Sequence, residues 1–302
     1  MRPRSALQPW LFLGPSLLVL VTFFVVPIGV AIYESFHRWD LLTERKYVGL
    51  RNYEAIAESG QLTDTLLRTL GFGVVVVALS LTLGLGLAIA LDRPGRAFAF
   101  VRGAVFSAYV VSWVGVALLW MWILDADAGL LSALVRAVGV RPRSWLGDPS
   151  VALWSLAGVT VWKVTGYAMV IFLAGLQEIP RSLREAAALD GAGPWSRFVH
   201  LTWPLLRPTT AFVATTSLIL SFQAFDVIRV MTQGGPVRST TLFVYAIYEQ
   251  VFLDLRIGRA SALAVVFFIV LLGLTLLQLW AFRLARRGAE EGASGARGGG
   301  GD

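Results

Sequence analysis

REAAALDGAGPWSRFVHLTWPLLRP, residues 184–208, lies between two apolar stretches long enough to cross a membrane. Connections between neighbouring helices are usually a few residues long. This one carries small, charged and aromatic residues in helical order. Just upstream, Ser182 followed three positions later by Glu185 is a capping-box pattern for a helix start. The run LREAAALD then carries small residues and stops at Gly191 and Gly193. Pro194 suits the first turn of a second helix, Trp195 to Leu201. From there Trp195, Phe198, Val199 and Thr202 recur at helical spacing and give one mostly apolar face. The pattern predicts two short helices joined at a glycine bend. Spacing alone allows two uses: a helix flat in the membrane interface with Glu185 as a plain cap, or an element seated in a partner's groove.

The surroundings define the class. Of 302 residues, 56% are hydrophobic and 15% charged, with a mean hydropathy of +0.69. A soluble domain ordinarily carries about 25% charged residues. The apolar residues fall into six blocks of spanning length: Trp10–Tyr33, Thr69–Leu91, Ala104–Leu124, Val151–Leu173, Thr209–Val230 and Ala260–Phe282. Backbone groups cannot stay unpaired in lipid, so these blocks are expected to be helices. The first follows the basic start MRPR, but it exceeds the core of a signal peptide and no small-x-small site closes it. It is expected to remain as the first helix. The expected organisation is a terminal segment 1–9, a six-helix membrane domain 10–283 with a long loop near 176–205, and a disordered, glycine-rich tail 284–302.

Several function classes drop out. There is no cysteine, and His37 and His200 are far apart without ligand-like neighbours, so no metal site or other cofactor is expected. The excess of 26 Lys+Arg over 19 Asp+Glu, in a multispanning chain, marks lipid headgroups and loops; no nucleic-acid partner is expected. The lysines, Lys46 and Lys163, precede Tyr47 and Val164, whereas a P-loop needs lysine before Ser or Thr. The chain has no Walker-type ATP site, and no catalytic nucleophile–base set stands out. Six spans place both ends on one side, but the basic residues of the alternating loops nearly balance and leave that side open.

Polar residues inside the spans are candidates for a solute path. Lys163, midway along the fourth span, must face protein or water. It either contacts helix carbonyls or a neighbouring subunit, or faces a pore and meets solute hydroxyls. Thr209, Thr216 and Gln223 recur at sevenfold spacing, with Asp226 three residues on. They line a path for a hydroxyl-rich solute or form interhelical hydrogen bonds. Asp125, Asp127 and Asp148 read as solvated loop charges, and Trp113, Trp120 and Trp122 as interface anchors or packing.

The order of residues in the long loop adds a resemblance. Glu185-Ala186-Ala187, three residues, Gly191, nine residues and then Leu201-x-Trp203-Pro204 resembles the EAA loop of binding-protein-dependent ABC importer permeases. That loop lies between the fourth and fifth spans, as the family requires. YVGLRNY (47–53) resembles the FVGLxNY segment after the first helix of sugar-type permeases. LAGLQEIPRSLREAAALDGA (173–192) resembles their LAGLQxIPxxLyEAAxiDGA, with Arg184 where tyrosine is common. FDVIRVMTQGGPVRSTT (225–241) resembles their FDxixxlTxGGPxxxT outer loop. Three matches in the right order are similar to the maltose/glycerol-phosphate type of carbohydrate permease.

The resemblance implies an all-α, type I ABC importer permease in the cell membrane, with both termini cytoplasmic. It implies a second homologous permease, two ATPase subunits and an extracytoplasmic solute-binding protein as partners. Glu185, Ala186, Ala187, Asp190, Gly191 and Pro204 would then couple this chain to an ATPase. ATP hydrolysis would occur on that separate subunit. The solute would be a sugar or sugar-like, with an osmolyte or phosphorylated polyol as alternatives. A secondary transporter is the rival class, against which stand the lack of an obvious inverted repeat and of an intramembrane acid cluster.

Overall fold

Where lipid or protein replaces water, hydrogen bonds within one segment become obligatory, and the apolar blocks answer as helices. The computed structural model describes the backbone over residues 7–298 and side chains over 13–282. In order come α1 (Leu7–Leu20), a π-helical turn (Val21–Val25), α2 (Val26–Ser35), and the two-residue strands β1 (His37–Arg38) and β2 (Lys46–Tyr47). Then follow α3 (Arg51–Glu58), α4 (Gln61–Leu91), α5 (Arg96–Val110), α6 (Trp113–Ile123), α7 (Leu130–Ala137) and α8 (Ala152–Glu178). The remainder is α9 (Arg181–Leu189), α10 (Pro194–Arg197), a π turn (Phe198–Thr202), α11 (Trp203–Phe222), α12 (Phe225–Met231), α13 (Phe243–Tyr248), a third π turn (Glu249–Leu253) and α14 (Ile257–Gly298). Among the described residues, 5 helices are long and apolar enough to cross a membrane, or up to 6 when one bent pair counts as a single span. The last helix runs through much of the segment expected to be disordered; residues 299–302 of that tail lie outside the described ones.

The chain divides into two compact units, residues 1–65 with 246–269 and residues 66–245 with 270–302. In the first, β1 pairs antiparallel with β2, His37 opposite Tyr47. The YVGLRNY segment closes this hairpin onto the end of α2. Gly49 turns the chain at φ 60°, Asn52 donates to the carbonyls of Ser35 (2.8 Å) and His37 (2.9 Å), and the Tyr53 hydroxyl donates to Ser35 Oγ (2.7 Å). Buried Glu34 takes Arg45 at 3.1 Å, and the Arg45 guanidinium lies 4.4 Å from the Trp39 ring.

In the second unit α8 is the central helix and the most enclosed of the spans. Its Ala168, Met169, Phe172 and Leu176 share a core with Ala88 of α4 and with Leu206 and Val213 of α11. Small residues set these distances, as they do where helices meet without a hydrophobic drive in lipid. A Cβ on Gly84 would stand 2.6 Å from Ala168 Cβ, and one on Gly175 would stand 2.6 Å from Thr209 Oγ1.

Three expectations need correction. The third block is not one straight helix, because α5 and α6 meet at 102° across Val111 and Ser112. The predicted capping box does not form: Pro180 precedes the first turn of α9, no side chain caps it, and Ser182 lies inside the helix. The second short helix is not separate either. From Pro194 the chain stays helical through the π turn into α11, one segment from Pro194 to Met231. Proline lacks an N–H and crowds the carbonyl four residues back, and the wider π turn just before Pro204 accommodates it.

Candidate functional site

One exposed element of the second unit is α9 with the turn after it. Arg184 and Ala187, three residues apart, face inward and are half-buried, while Leu183, Glu185, Ala186 and Leu189 are exposed. Leu189 is 89% exposed and Trp195, beyond the turn, 74%. Arg184 fastens the helix by donating to the Leu176 carbonyl and pairing with Asp92 at 3.5 Å. Glu185 has no hydrogen bond or ion pair among the described residues, which removes its reading as a cap.

The glycine bend has a specific geometry. Gly191 N–H donates to the Ala188 carbonyl (3.2 Å) and Ala192 N–H to the Ala187 carbonyl (3.1 Å). With Asp190 as the last half-helical residue, this is a Schellman cap, which needs a left-handed residue after it. Gly191 supplies it at φ 72°, and nothing lies within 4 Å of where its Cβ would be. Gly193, at φ −67°, opens the next helix in an ordinary conformation with Pro194 in the first turn. The order Asp190-Gly191-x-Gly193-Pro194 is therefore a stop, a turn and a start.

Lys163 lies on α8 at the break between α5 and α6. It is 2% exposed, and its Nζ donates to the carbonyls of Ala108 (3.1 Å), Tyr109 (3.0 Å) and Val111. These are the carbonyls left without helical partners where α5 ends. On the other side of the break the Ser112 hydroxyl accepts from Gly115 N–H at 3.2 Å and caps α6. Trp113 holds the ammonium 4.8 Å from its ring, and Tyr109 stacks on Tyr167 at 4.9 Å. Lys163 makes the break tolerable in lipid, since its three donors meet three stranded acceptors. A cavity of about 470 Å³ adjoins it, with Tyr109, Ser112, Trp113 and Leu220 in its walls.

The sevenfold row does not form one uniform face. Thr209 packs against Gly175, and the Thr216 hydroxyl donates to the Phe212 carbonyl of its own helix at 2.9 Å. Gln223 stands at the end of α11 and is exposed, and Asp226 lies in the first turn of α12, after the non-helical residue Ala224. Sequence reading missed the Tyr109–Ser112–Trp113–Tyr167 cluster. Its one local signal is Ser112, a helix-start residue inside an apolar block.

The loops confirm simpler assignments. Asp125 accepts from the N–H groups of Ala128 (2.7 Å) and Asp127 (3.0 Å), bonds that hold its carboxyl below the usual range. Asp148 is held low chiefly by the Ser150 hydroxyl at 2.7 Å. The TQGGPVRSTT segment is a tight knot. The Thr240 hydroxyl donates to the Gly235 carbonyl (2.8 Å), the Thr241 hydroxyl to the Gly234 carbonyl (3.3 Å), and Thr232 and Thr240 share a bond of 2.8 Å. Gly234, at φ 80°, has Tyr245 so close that a Cβ would stand 2.7 Å from its ring.

Against known proteins, residues 80–288 match the family described as the binding-protein-dependent transport system inner membrane component. The sn-glycerol-3-phosphate transport system permease protein UgpA of Pectobacterium atrosepticum is 33% identical over 94% of this chain and 96% of its own. Its namesake from Agrobacterium fabrum is 33% identical over 91% of this chain and 94% of its own. Among solved structures, a chain of a bacterial ABC transporter that imports the acidic polysaccharide alginate superposes with a TM-score of 0.79 at 21% identity. That match covers 91% of this chain and 94% of the other, and shows a shared fold. Spans, breaks, glycine-capped loop and relatives agree: the chain is a multi-pass membrane protein of the binding-protein-dependent transport system inner membrane component family.

Proposed function

We propose that this chain is one of two homologous transmembrane subunits of an ATP-driven importer, with α9 as its contact to an ATPase. The observation that carries the reading is α9 itself. It is a short helix anchored from behind by Arg184 and ended by a Schellman cap at Gly191. It presents Leu183, Glu185, Ala186 and Leu189 as an exposed face among the described residues. Small residues admit close approach, Leu189 supplies apolar area, and Glu185 supplies a charge for a basic group opposite. Because the helical run from Pro194 continues into α11, displacement of α9 would reach the span through Pro204 rather than through a loose loop. Hydrolysis then belongs to the two ATPase subunits, for this chain carries no phosphate-binding lysine motif.

In this reading both termini are cytoplasmic, α9 faces the ATPase, and the 225–241 knot faces outward, where a solute-binding protein delivers its load. The solute is a sugar or sugar-like molecule. The cavity beside Lys163, with its aromatic rings, lies along its route, and Thr216, Gln223 and Asp226 are further candidates for that route. A phosphorylated polyol is the second reading, favoured by the glycerol-3-phosphate permeases at 33% identity. The test is uptake by vesicles containing both permeases, the ATPases and the loaded binding protein. ATP inside and labelled solute outside should give accumulation, with sugar and polyol phosphate compared directly. Accumulation driven by an ion gradient without ATP would overturn the reading.

A further inference from the structure

After α4 the chain turns through Asp92, Arg93 and Pro94, and this turn borders a cavity of about 530 Å³ that Arg102, Arg181 and Arg184 also line. A second cavity of about 280 Å³ shares Asp92 and Arg184 with the first and is lined by Arg197. Five arginines thus surround adjoining spaces against a single carboxylate. Two of them are committed to the fold. Arg102 donates to the carbonyls of Leu91 (2.8 Å) and Arg93 (3.1 Å), and Arg184 holds Asp92 and the Leu176 carbonyl. The Arg197 Nε is buried without a hydrogen-bond partner among the described residues. Arg93 and Arg181 are exposed at the rim. Two helices, α5 and α9, also begin beside this turn, and neither has a side-chain cap. Uncapped helix starts and clustered guanidinium groups both call for an anion with several acceptor oxygens.

The neighbouring side chains select its source. Ile89, Phe100 and Val101, on the last turn of α4 and the first turns of α5, are large, apolar and exposed. A free anion makes no use of them, whereas a phospholipid offers a phosphate and acyl chains together. We infer that these adjoining cavities bind the phosphate headgroup of an anionic membrane lipid, with Arg93, Arg181 and Arg197 as donors and the acyl chains along Ile89 and Phe100. The headgroup would tie the α4–α5 turn to α9, so the lipid holds the coupling helix at the membrane surface. The site rests on the membrane location of the chain; its effect on turnover rests on the coupling role proposed for α9.

The two are separated by reading lipid retention without ATP. The complete transporter is extracted in mild detergent from membranes of phosphatidylethanolamine and phosphatidylglycerol, and retained lipid is measured by native mass spectrometry. The wild type should retain phosphatidylglycerol. R93Q/R181Q should retain roughly tenfold less or lower still, from two lost headgroup contacts, and R93K/R181K should recover much of it. R141Q/R143Q, in the loop after α7 and away from the cavities, is the charge-matched control and should match the wild type. In nanodiscs, phosphatidylglycerol should raise hydrolysis stimulated by binding protein more in the wild type than in R93Q/R181Q. If the double variant fails to assemble, R181Q alone, which removes one exposed side chain, is measured instead. Equal retention by wild type and the Arg93/Arg181 variants, equal loss in the control, or displacement of the lipid by inorganic phosphate overturns the assignment.

Discussion

Gly191→Val perturbs α9 at one defined point. The Schellman cap requires φ near the observed 72°, and a β-branched residue there is a steric outlier. Holding the native turn costs an L-residue about 1–2 kcal/mol. Releasing it instead loses the two capping bonds from Gly191 and Ala192, each worth about 0.5–1.5 kcal/mol net. By either route about 1–3 kcal/mol is withdrawn from the docking-competent shape, which corresponds to a roughly 5- to 150-fold loss of coupling. The chain should still insert, because no atom lies within 4 Å of the added Cβ. The assay is ATP-dependent uptake in proteoliposomes, together with capture of the ATPase on the tagged permease. Uptake should fall by roughly 5- to 150-fold, with normal amounts of permease in the membrane. Two neighbours locate the cause. Gly191→Asn tolerates the left-handed conformation and should keep part of the activity if shape is the requirement. Gly193→Ala, at φ −67° with open space around it, should behave as wild type. Normal uptake by Gly191→Val, with the ATPase bound and stimulated by loaded binding protein, refutes the reasoning.

Three further outcomes follow from the same geometry. Glu185→Gln should lower uptake moderately while leaving the thermal midpoint of the purified chain unchanged, since Glu185 has no partner among the described residues; a charge reversal on the ATPase should partly rescue Glu185→Lys, and normal uptake by Glu185→Gln would leave the carboxylate without a role. Lys163→Met strands the carbonyls of Ala108, Tyr109 and Val111, each at a cost of about 1–3 kcal/mol. The folded, ATPase-associated yield should drop, with Lys163→Arg less affected, whereas normal stability with a changed solute preference would make Lys163 a solute group instead. The chain has no cysteine, so single thiols report sidedness cleanly: an impermeant reagent outside intact cells should label Ser144→Cys and Val237→Cys but not Ser196→Cys, and the reverse pattern would invert the topology.

What was legible in the sequence was whatever short-range patterns encode. Five blocks announce their helices by length and hydropathy, and the order Asp190-Gly191-x-Gly193-Pro194 predicts the stop and bend at the right residues. The motif YVGLRNY was recognisable by resemblance, but its physical work, the ties from Asn52 and Tyr53 to Ser35, is long-range. The break at Val111–Ser112 was hidden because Tyr, Val and Trp surround Ser112, and a lysine about fifty positions on makes it tolerable. The capping box misled for a related reason. Ser182 and Glu185 have the spacing, but Pro180, at φ −55° and ψ 136°, is the N-cap residue, so the helix starts two residues earlier. Thr209, Thr216 and Gln223 kept their period yet not a common environment, because Gly175 draws Thr209 into a helix contact while α11 ends at Gln223.

The central claim is that α9 meets an ATPase, and the position that tests it is Leu189, the most exposed large hydrophobic side chain on that helix. With a photoreactive phenylalanine analogue in place of Leu189, illumination of intact membranes should give one main covalent product, the permease joined to its ATP-binding subunit. The yield should change between the nucleotide-free and ATP-bound states, and Gly191→Val should diminish it. The same analogue at Val237, which the proposed topology puts across the membrane from α9, should not capture the ATPase. A Leu189 probe that captures only lipid, in membranes where the ATPase is present and active, would contradict the account.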